Sequence, residues 1–358
     1  MRKPFLDNLR CAVVLLVIVY HGFYLFNSVG VISSVNVQGI PALDVVEYVL
    51  YPWFMACLFA VAGIGAFYAL QKRGGRAFLR ERARRLLVPG VGGVFLLGWV
   101  SGWVADQYAD LFGAAGAVPL PVRYLVCCLV GIGPLWFLHQ LFAACCVLLA
   151  LRWLDKGGRF RALCGRAAAL PGWALAAGLV LPAWGAAQLL NTPLIELYRN
   201  GFYIFWFLAG YCLFSHEGVQ QRLAGSAPAL CGAAGVGAVL YTARWFGQNY
   251  AAQSCLRSFS TNLYAAVGVA AALAAAVRWF DRETRFTRWL RPRSFGFYVL
   301  HYPLMAVLAW LLCERTPLPM AAMYPVLLAL EAALLPPLTA LVRRTPVVRT
   351  LLLGDYTK

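Results

Sequence analysis

The stretch Lys3–Asn27 reads KPFLDNLRCAVVLLVIVYHGFYLFN. Cations and a carboxylate crowd its front. From Cys11 to Asn27 it is apolar but for a single histidine and a terminal Asn. About 20 such residues in a helix cross the ~30 Å hydrocarbon core of a bilayer. A basic segment followed by an apolar run also opens secretory signal peptides. No small-x-small cleavage site follows this one, and further apolar runs do, so a retained first membrane helix is expected.

Nine more runs have the same character: Tyr48–Leu70, Leu86–Ala105, Pro134–Leu154, Trp173–Leu190, Gly201–Ser215, Ala227–Phe246, Thr261–Phe280, Phe295–Cys313 and Ala321–Val342. Bulk composition agrees. Of 358 residues, 62% are apolar and 13% charged, against roughly 45–50% and about 25% in a soluble domain. Mean hydropathy is +0.70. These figures exclude a soluble enzyme, a disordered chain and a secreted disulfide scaffold. The expected fold class is all-α: a polytopic membrane protein with about ten transmembrane helices, forming one domain over residues 1–358.

The chain carries 31 Lys+Arg and 14 Asp+Glu, a net charge of +17. On a soluble protein that balance suggests nucleic acid. Here topology accounts for it. Put the N-terminus in the cytoplasm and let ten helices alternate. The inside then holds Arg2, Lys3 and Arg10, seven cations in Lys72–Arg85, five in Arg152–Arg166, Arg222, six in Arg278–Arg293 and four in the tail. The outside holds only Arg123, Arg199, Arg244, Arg257 and Arg315. This is the positive-inside pattern. Both termini are expected in the cytoplasm, with the chain in the cell's inner membrane. Membrane lipids, not nucleic acid, are the expected partners of the basic loops.

Eleven cysteines form no C-x-x-C pair and no cluster with zinc spacing, so neither disulfide framework nor metal site is expected. The external stretch Asp106–Gly133 holds an apolar piece, Tyr124–Ile132, too short to cross; an interfacial or re-entrant segment is expected. No internal repeat supports a transporter built from inverted halves.

Ionisable residues within a membrane are costly and so become functional candidates. His21 lies eleven residues beyond Arg10. That is about 16 Å of helical rise and ends about 20° past three full turns. Arg10 and His21 therefore share a helix face, with Asp7 close to it. One reading is a structural histidine bonded to a neighbouring helix; the other is a proton carrier held in mid-membrane. His301 lies about 10 Å inside the ninth span. It meets His21 only if helices one and nine are neighbours, which spacing does not show. His139 falls towards the outer side of the fourth span, and His216 in a solvated cytoplasmic loop. Glu331, mid-span in the tenth run, is either hydrogen-bonded structure or a proton site. Asp44 and Glu47 are expected in solvent at the outer start of the second. No P-loop, G-x-S-x-G, H-E-x-x-H or dinucleotide glycine pattern appears.

Phe5–Leu6–Asp7–Asn8–Leu9–Arg10, ten residues and then His21 resemble the arginine–ten–histidine signature of the acyltransferase-3 group of membrane-bound acyltransferases. Pro52–Trp53–Phe54–Met55 with Ala62–Gly63 is similar to that group's second helix. Arg82, Arg84, Arg85, Leu86, Leu87 and Pro89 look like its Arg-rich loop. Leu135–His139 and Ser294–Pro303 match two later landmarks, so the resemblance runs from residue 5 to about 305. Where the group has Phe-x-Ser-Gly, this chain reads Phe59–Ala60–Val61–Ala62–Gly63 and lacks the hydroxyl.

The resemblance implies transfer of an acetyl- or succinyl-type group from acyl-coenzyme A to a hydroxyl of a glycan or other surface-directed acceptor. Glucan succinyltransferases are the nearest members. Acyl-coenzyme A enters as donor substrate, and no tightly bound cofactor is implied. His21 is the expected general base, with Arg10 and His301 completing the catalytic set. Arg10, Arg84, Arg85, Arg291 and Arg293 are expected on the donor's phosphates. Asp7, Trp136, His139 and Tyr298 are expected against substrate. The competing readings are a proton-coupled transporter using the same histidines with Glu331, and a non-catalytic scaffold.

Overall fold

The computed structural model describes residues 3–113, 118–192 and 198–356. The chain is an all-α membrane protein, and no strand occurs among the described residues. Helices stand at all ten predicted runs: α1 Pro4–Tyr24, α2 Pro41–Lys72, α3 Gly75–Ala109, and, after the short α4 Leu120–Val130, α5 Gly133–Leu154. Then follow α6 Gly172–Gln188, α7 Asn200–Phe214, α8 Glu217–Gly225 and α9 Ala227–Trp245. Next come α10 Phe259–Trp279, α11 Ser294–Arg315 and α12 Met320–Arg344, and the short helix Pro346–Leu353 follows them.

Among the described residues, seven of these (α1, α2, α3, α5, α10, α11, α12) are long and apolar enough to cross a membrane by themselves. Helices α8 and α9 make an eighth if taken as one span bent by 69°. Helices α6 and α7, with 17 residues in the first, are shorter than the ~20 that a straight crossing needs.

Boundaries differ from the sequence reading where local chemistry extends a helix. Helix α1 starts at Pro4 rather than Cys11. Proline suits the first helical position, where no N–H is needed, and Asp7 in the first turn faces the positive end of the helix dipole. The Arg-rich segment before Leu86 is not a loop: α3 begins at Gly75 and runs through it without a break. Its turn at Ala83–Leu87 is π-helical. Pro89 lacks the N–H that would bond residue 85, which favours such a widened turn just upstream. The segment expected outside is helical as α4, packs against α3, and is too short to cross.

Helix α1 is the hub, in contact with α2, α10, α11 and α12. Helices α2 and α7 approach closely because Gly63 faces the Phe207 carbonyl and Gly210 faces that of Ala60. Small residues of this kind let membrane helices pack backbone to backbone. Lys3 and Asn8 tie the start of α1 to the rest of the bundle. The Lys3 ammonium lies 2.6 Å from Glu217, which raises its pKa. Asn8 Nδ2 donates to the carbonyls of Phe280 and Arg282 at 2.6 and 2.8 Å.

Candidate functional site

Two chambers open into the bundle around α1. The first, about 640 Å³, lies at the end that carries the chain's start. Lys3, Arg10, Arg82, Arg85, Arg291 and Arg343 stand in its wall. The second, about 280 Å³, lies further along the same helix. It is lined by His21 and by the rings of Tyr20, Tyr24, Tyr51, Trp136, Tyr198 and Tyr302. The first chamber suits a polyanion, since guanidinium forks match phosphate oxygens. The second is apolar-walled with a few hydroxyl groups and one imidazole.

Helical phase explains why α1 serves both. Arg10 lines the first chamber and His21 the second, as two residues on one face must when their separation is three turns. Arg10 is paired with Asp7 at 3.3 Å, and Asp7 also lines the first chamber.

Helices α1 and α11 are neighbours, and their histidines meet. His301 Nε2 lies 3.3 Å from His21 Nδ1, with ring centroids 5.0 Å apart. The backbone fixes the tautomers. His21 Nδ1 lies 2.8 Å from the Val17 carbonyl, and His301 Nδ1 lies 2.7 Å from that of Tyr298. A carbonyl only accepts, so each Nδ1 carries the proton. His301 Nε2 is then an acceptor, and the His21 Nδ1–H points between it and the Val17 oxygen. The lone pair of His21 sits on Nε2. His301 is fully buried and stands in the wall of neither chamber.

The remaining predicted residues divide. Trp136 lines the aromatic chamber and Tyr298 lines both. Arg85 and Arg291 face the basic chamber, each also paired with a carboxylate, Glu81 at 3.3 Å and Glu283 at 3.0 Å. Arg84 and Arg293 point elsewhere: Arg84 lies over the Tyr356 ring and Arg293 over that of Trp289. His139 packs against Gly90 of α3 and lines neither chamber. Arg82 and Arg343 do line the basic chamber and are absent from the expected donor set. Helical phase could have found Arg82, since it lies three residues from Arg85 while Arg84 is a neighbour turned away. Nothing in the sequence brings Arg343 of α12 to the same wall.

Two expectations about carboxylates are corrected. Asp44 and Glu47 are buried, not solvated. The loop after α1 folds over them, and Asp44 accepts from the Ser28 hydroxyl at 2.5 Å. Neither oxygen of Glu47 has a hydrogen-bond partner among the described residues. The same holds for Glu331, buried on α12; it lines neither chamber. His216 is half-buried rather than solvated, its Nε2 donating to the Arg161 carbonyl at 3.1 Å. Arg199, read as an outer loop cation, is fully buried over the ring of Phe202.

Gly133 shapes the aromatic chamber's rim. Its φ of +50° lies in the left-handed region, and the Tyr302 ring packs where a Cβ would sit. Any other residue there meets both penalties. No group of three His, Cys, Asp or Glu side chains assembles into a metal site among the described residues.

A family model described as an acyltransferase domain matches residues 3–335. No curated protein and no solved structure matches the chain.

Proposed function

Because the chain belongs to the acyltransferase-3 family, we propose that this membrane acyltransferase moves an acetyl- or succinyl-type group from acyl-coenzyme A to a hydroxyl of a glycan or other surface-directed acceptor. The donor's phosphates occupy the basic chamber, held by Arg10, Arg82, Arg85, Arg291 and Arg343. The acceptor hydroxyl occupies the aromatic chamber. The basic chamber, at the end that carries the chain's start, faces the cytoplasm, where the donor is made.

The observation that carries this reading is that His21 lines a chamber separate from the cations, while the Val17 carbonyl on Nδ1 leaves its lone pair on Nε2. Nε2 takes the proton of the acceptor hydroxyl. The oxygen attacks the thioester carbonyl, the C–O bond forms and the C–S bond breaks. The thiolate leaves and takes the proton back from His21, so that coenzyme A departs as a thiol. His301 touches neither substrate. It is a positioning residue, accepting the His21 Nδ1–H and holding the ring as the third member of a triad does. Tyr and Trp rings give the acceptor apolar faces with polar tips.

The test is labelled acetyl- and succinyl-coenzyme A incubated with membranes holding the full chain. Covalent label on an acceptor is expected, and His21→Ala should lower it by about 10²–10⁴-fold with insertion unchanged. Uptake driven by a pH gradient without covalent transfer would overturn the reading in favour of a transporter.

A further inference from the structure

The two chambers share a single lining residue, Tyr298. The wall between them is thin. Along α1 the lining passes from Val14 in the basic chamber to Val17 in the aromatic one. Along α2 it passes from Leu58 to Met55, and along α5 from Phe137 to Trp136. Three helical residues are about 4.5 Å of rise, the thickness of one side chain. Tyr298 is that side chain. It is buried, its hydroxyl donates to the Pro134 carbonyl at the rim of the aromatic chamber, and its ring packs edge-on against Phe137 with centroids 5.6 Å apart.

A donor whose phosphates sit among the arginines must bring its thioester past this ring to reach His21. We propose that Tyr298 is the residue that selects the acyl group by size. The phenol closes the passage while bonded to Pro134 and turns aside to admit a short acyl group. A long chain is refused, because the ring, packed on Phe137 and held to the Pro134 carbonyl, does not turn far enough to clear it. The chemical class of donor is therefore a short-chain or small dicarboxylic acyl thioester. This rests on the donor and acceptor chambers assigned above.

The role differs from holding a substrate, and the discriminating quantity is a ratio. Membranes holding the full chain are given acetyl-coenzyme A and octanoyl-coenzyme A, each labelled in the acyl group, and transfer to the membranes' own acceptors is counted. The wild type is expected to favour acetyl strongly. Tyr298→Ala should raise the octanoyl-to-acetyl ratio by at least about tenfold, the scale of discrimination that removing a steric wall relaxes. Tyr298→Leu should raise it less, and it serves if the alanine variant melts. Tyr298→Phe keeps the ring and should leave the ratio near that of the wild type. A merely structural role would lower transfer from both donors alike.

An unchanged ratio in folded Tyr298→Ala and Tyr298→Leu overturns the inference while leaving the transferase reading intact. So does a shift in Tyr298→Phe as large as in Tyr298→Ala, since the ring would then not be the barrier. Absence of transfer by the wild type from both of these donors and from succinyl-coenzyme A overturns the transferase reading, and this inference with it.

Discussion

His301 Nε2 accepts from His21 Nδ1 at 3.3 Å across 280 residues of chain. That contact, with the Val17 carbonyl on its other side, leaves the lone pair of His21 on Nε2, and His21 lines the aromatic chamber. His301→Leu removes the acceptor and frees the ring to turn. Its kcat is expected to fall by about tenfold or more, with the donor KM little changed, since no group on the donor is touched. His301→Gln places an amide oxygen where the acceptor was and should recover part of the loss. Steady-state kinetics of both variants check this; equal losses in the two would remove the hydrogen bond from the account.

Arginines of one short run fall on different sides of α3. Arg82 lines the basic chamber, whereas Arg84 stacks on Tyr356. Arg82→Ala is expected to raise the KM for acyl-coenzyme A by about tenfold, equivalent to roughly 1.4 kcal/mol, the order of a charge-assisted hydrogen bond. Arg84→Ala should leave it near the wild-type value. Titrating donor against each variant separates them, and the reverse order would place the phosphates on the other face of the helix.

Arg199 holds a guanidinium that is fully buried, with no hydrogen-bond acceptor on any of its three nitrogens among the described residues. Its visible support is the Phe202 ring, 3.9 Å away, and the Tyr203 ring at 5.6 Å. Burying such a charge costs more than two aromatic faces return. Arg199→Met, which retains the packing, is expected to stabilise the fold by about 1 kcal/mol or more. A thermal melt in detergent reads the change; a clear drop in melting temperature would mean that the charge is held by stronger forces than these.

The His216 imidazole, between α7 and α8, is shifted below its ordinary 6.5 by partial burial and then by the nearby Arg161 guanidinium. The folded chain thus resists a proton that the unfolded chain accepts. Stability from this site is complete above pH 6.5 and declines as pH falls through that value towards the folded pKa. The wild type should therefore lose more thermal stability than His216→Gln between about pH 7.5 and about pH 5.5. Melting curves at the two pH values test it, and parallel losses would assign the acid sensitivity to other groups.

The sequence by itself determined the fold class and the helix face that matters. Apolar run length is a local property, and so is the phase that puts Arg10 and His21 on one side of α1. All ten runs are helical for that reason. The charge of the basic chamber was legible in kind, because Lys72–Arg85 and Arg278–Arg293 are dense in cations, but not residue by residue. Which arginine of a helical run faces a cavity depends on how that helix is rotated against its neighbours, and packing sets the rotation. Only the tertiary structure decided that α1 and α11 are adjacent, so that His301 meets His21. It alone sealed Glu47 and Arg199 away from water, through loops and helix ends distant in sequence. It alone placed Tyr298 between the two chambers. Contacts between helices in lipid rest on shape and close approach rather than on hydrophobic pattern, and a pattern uniformly apolar carries little record of which face meets which.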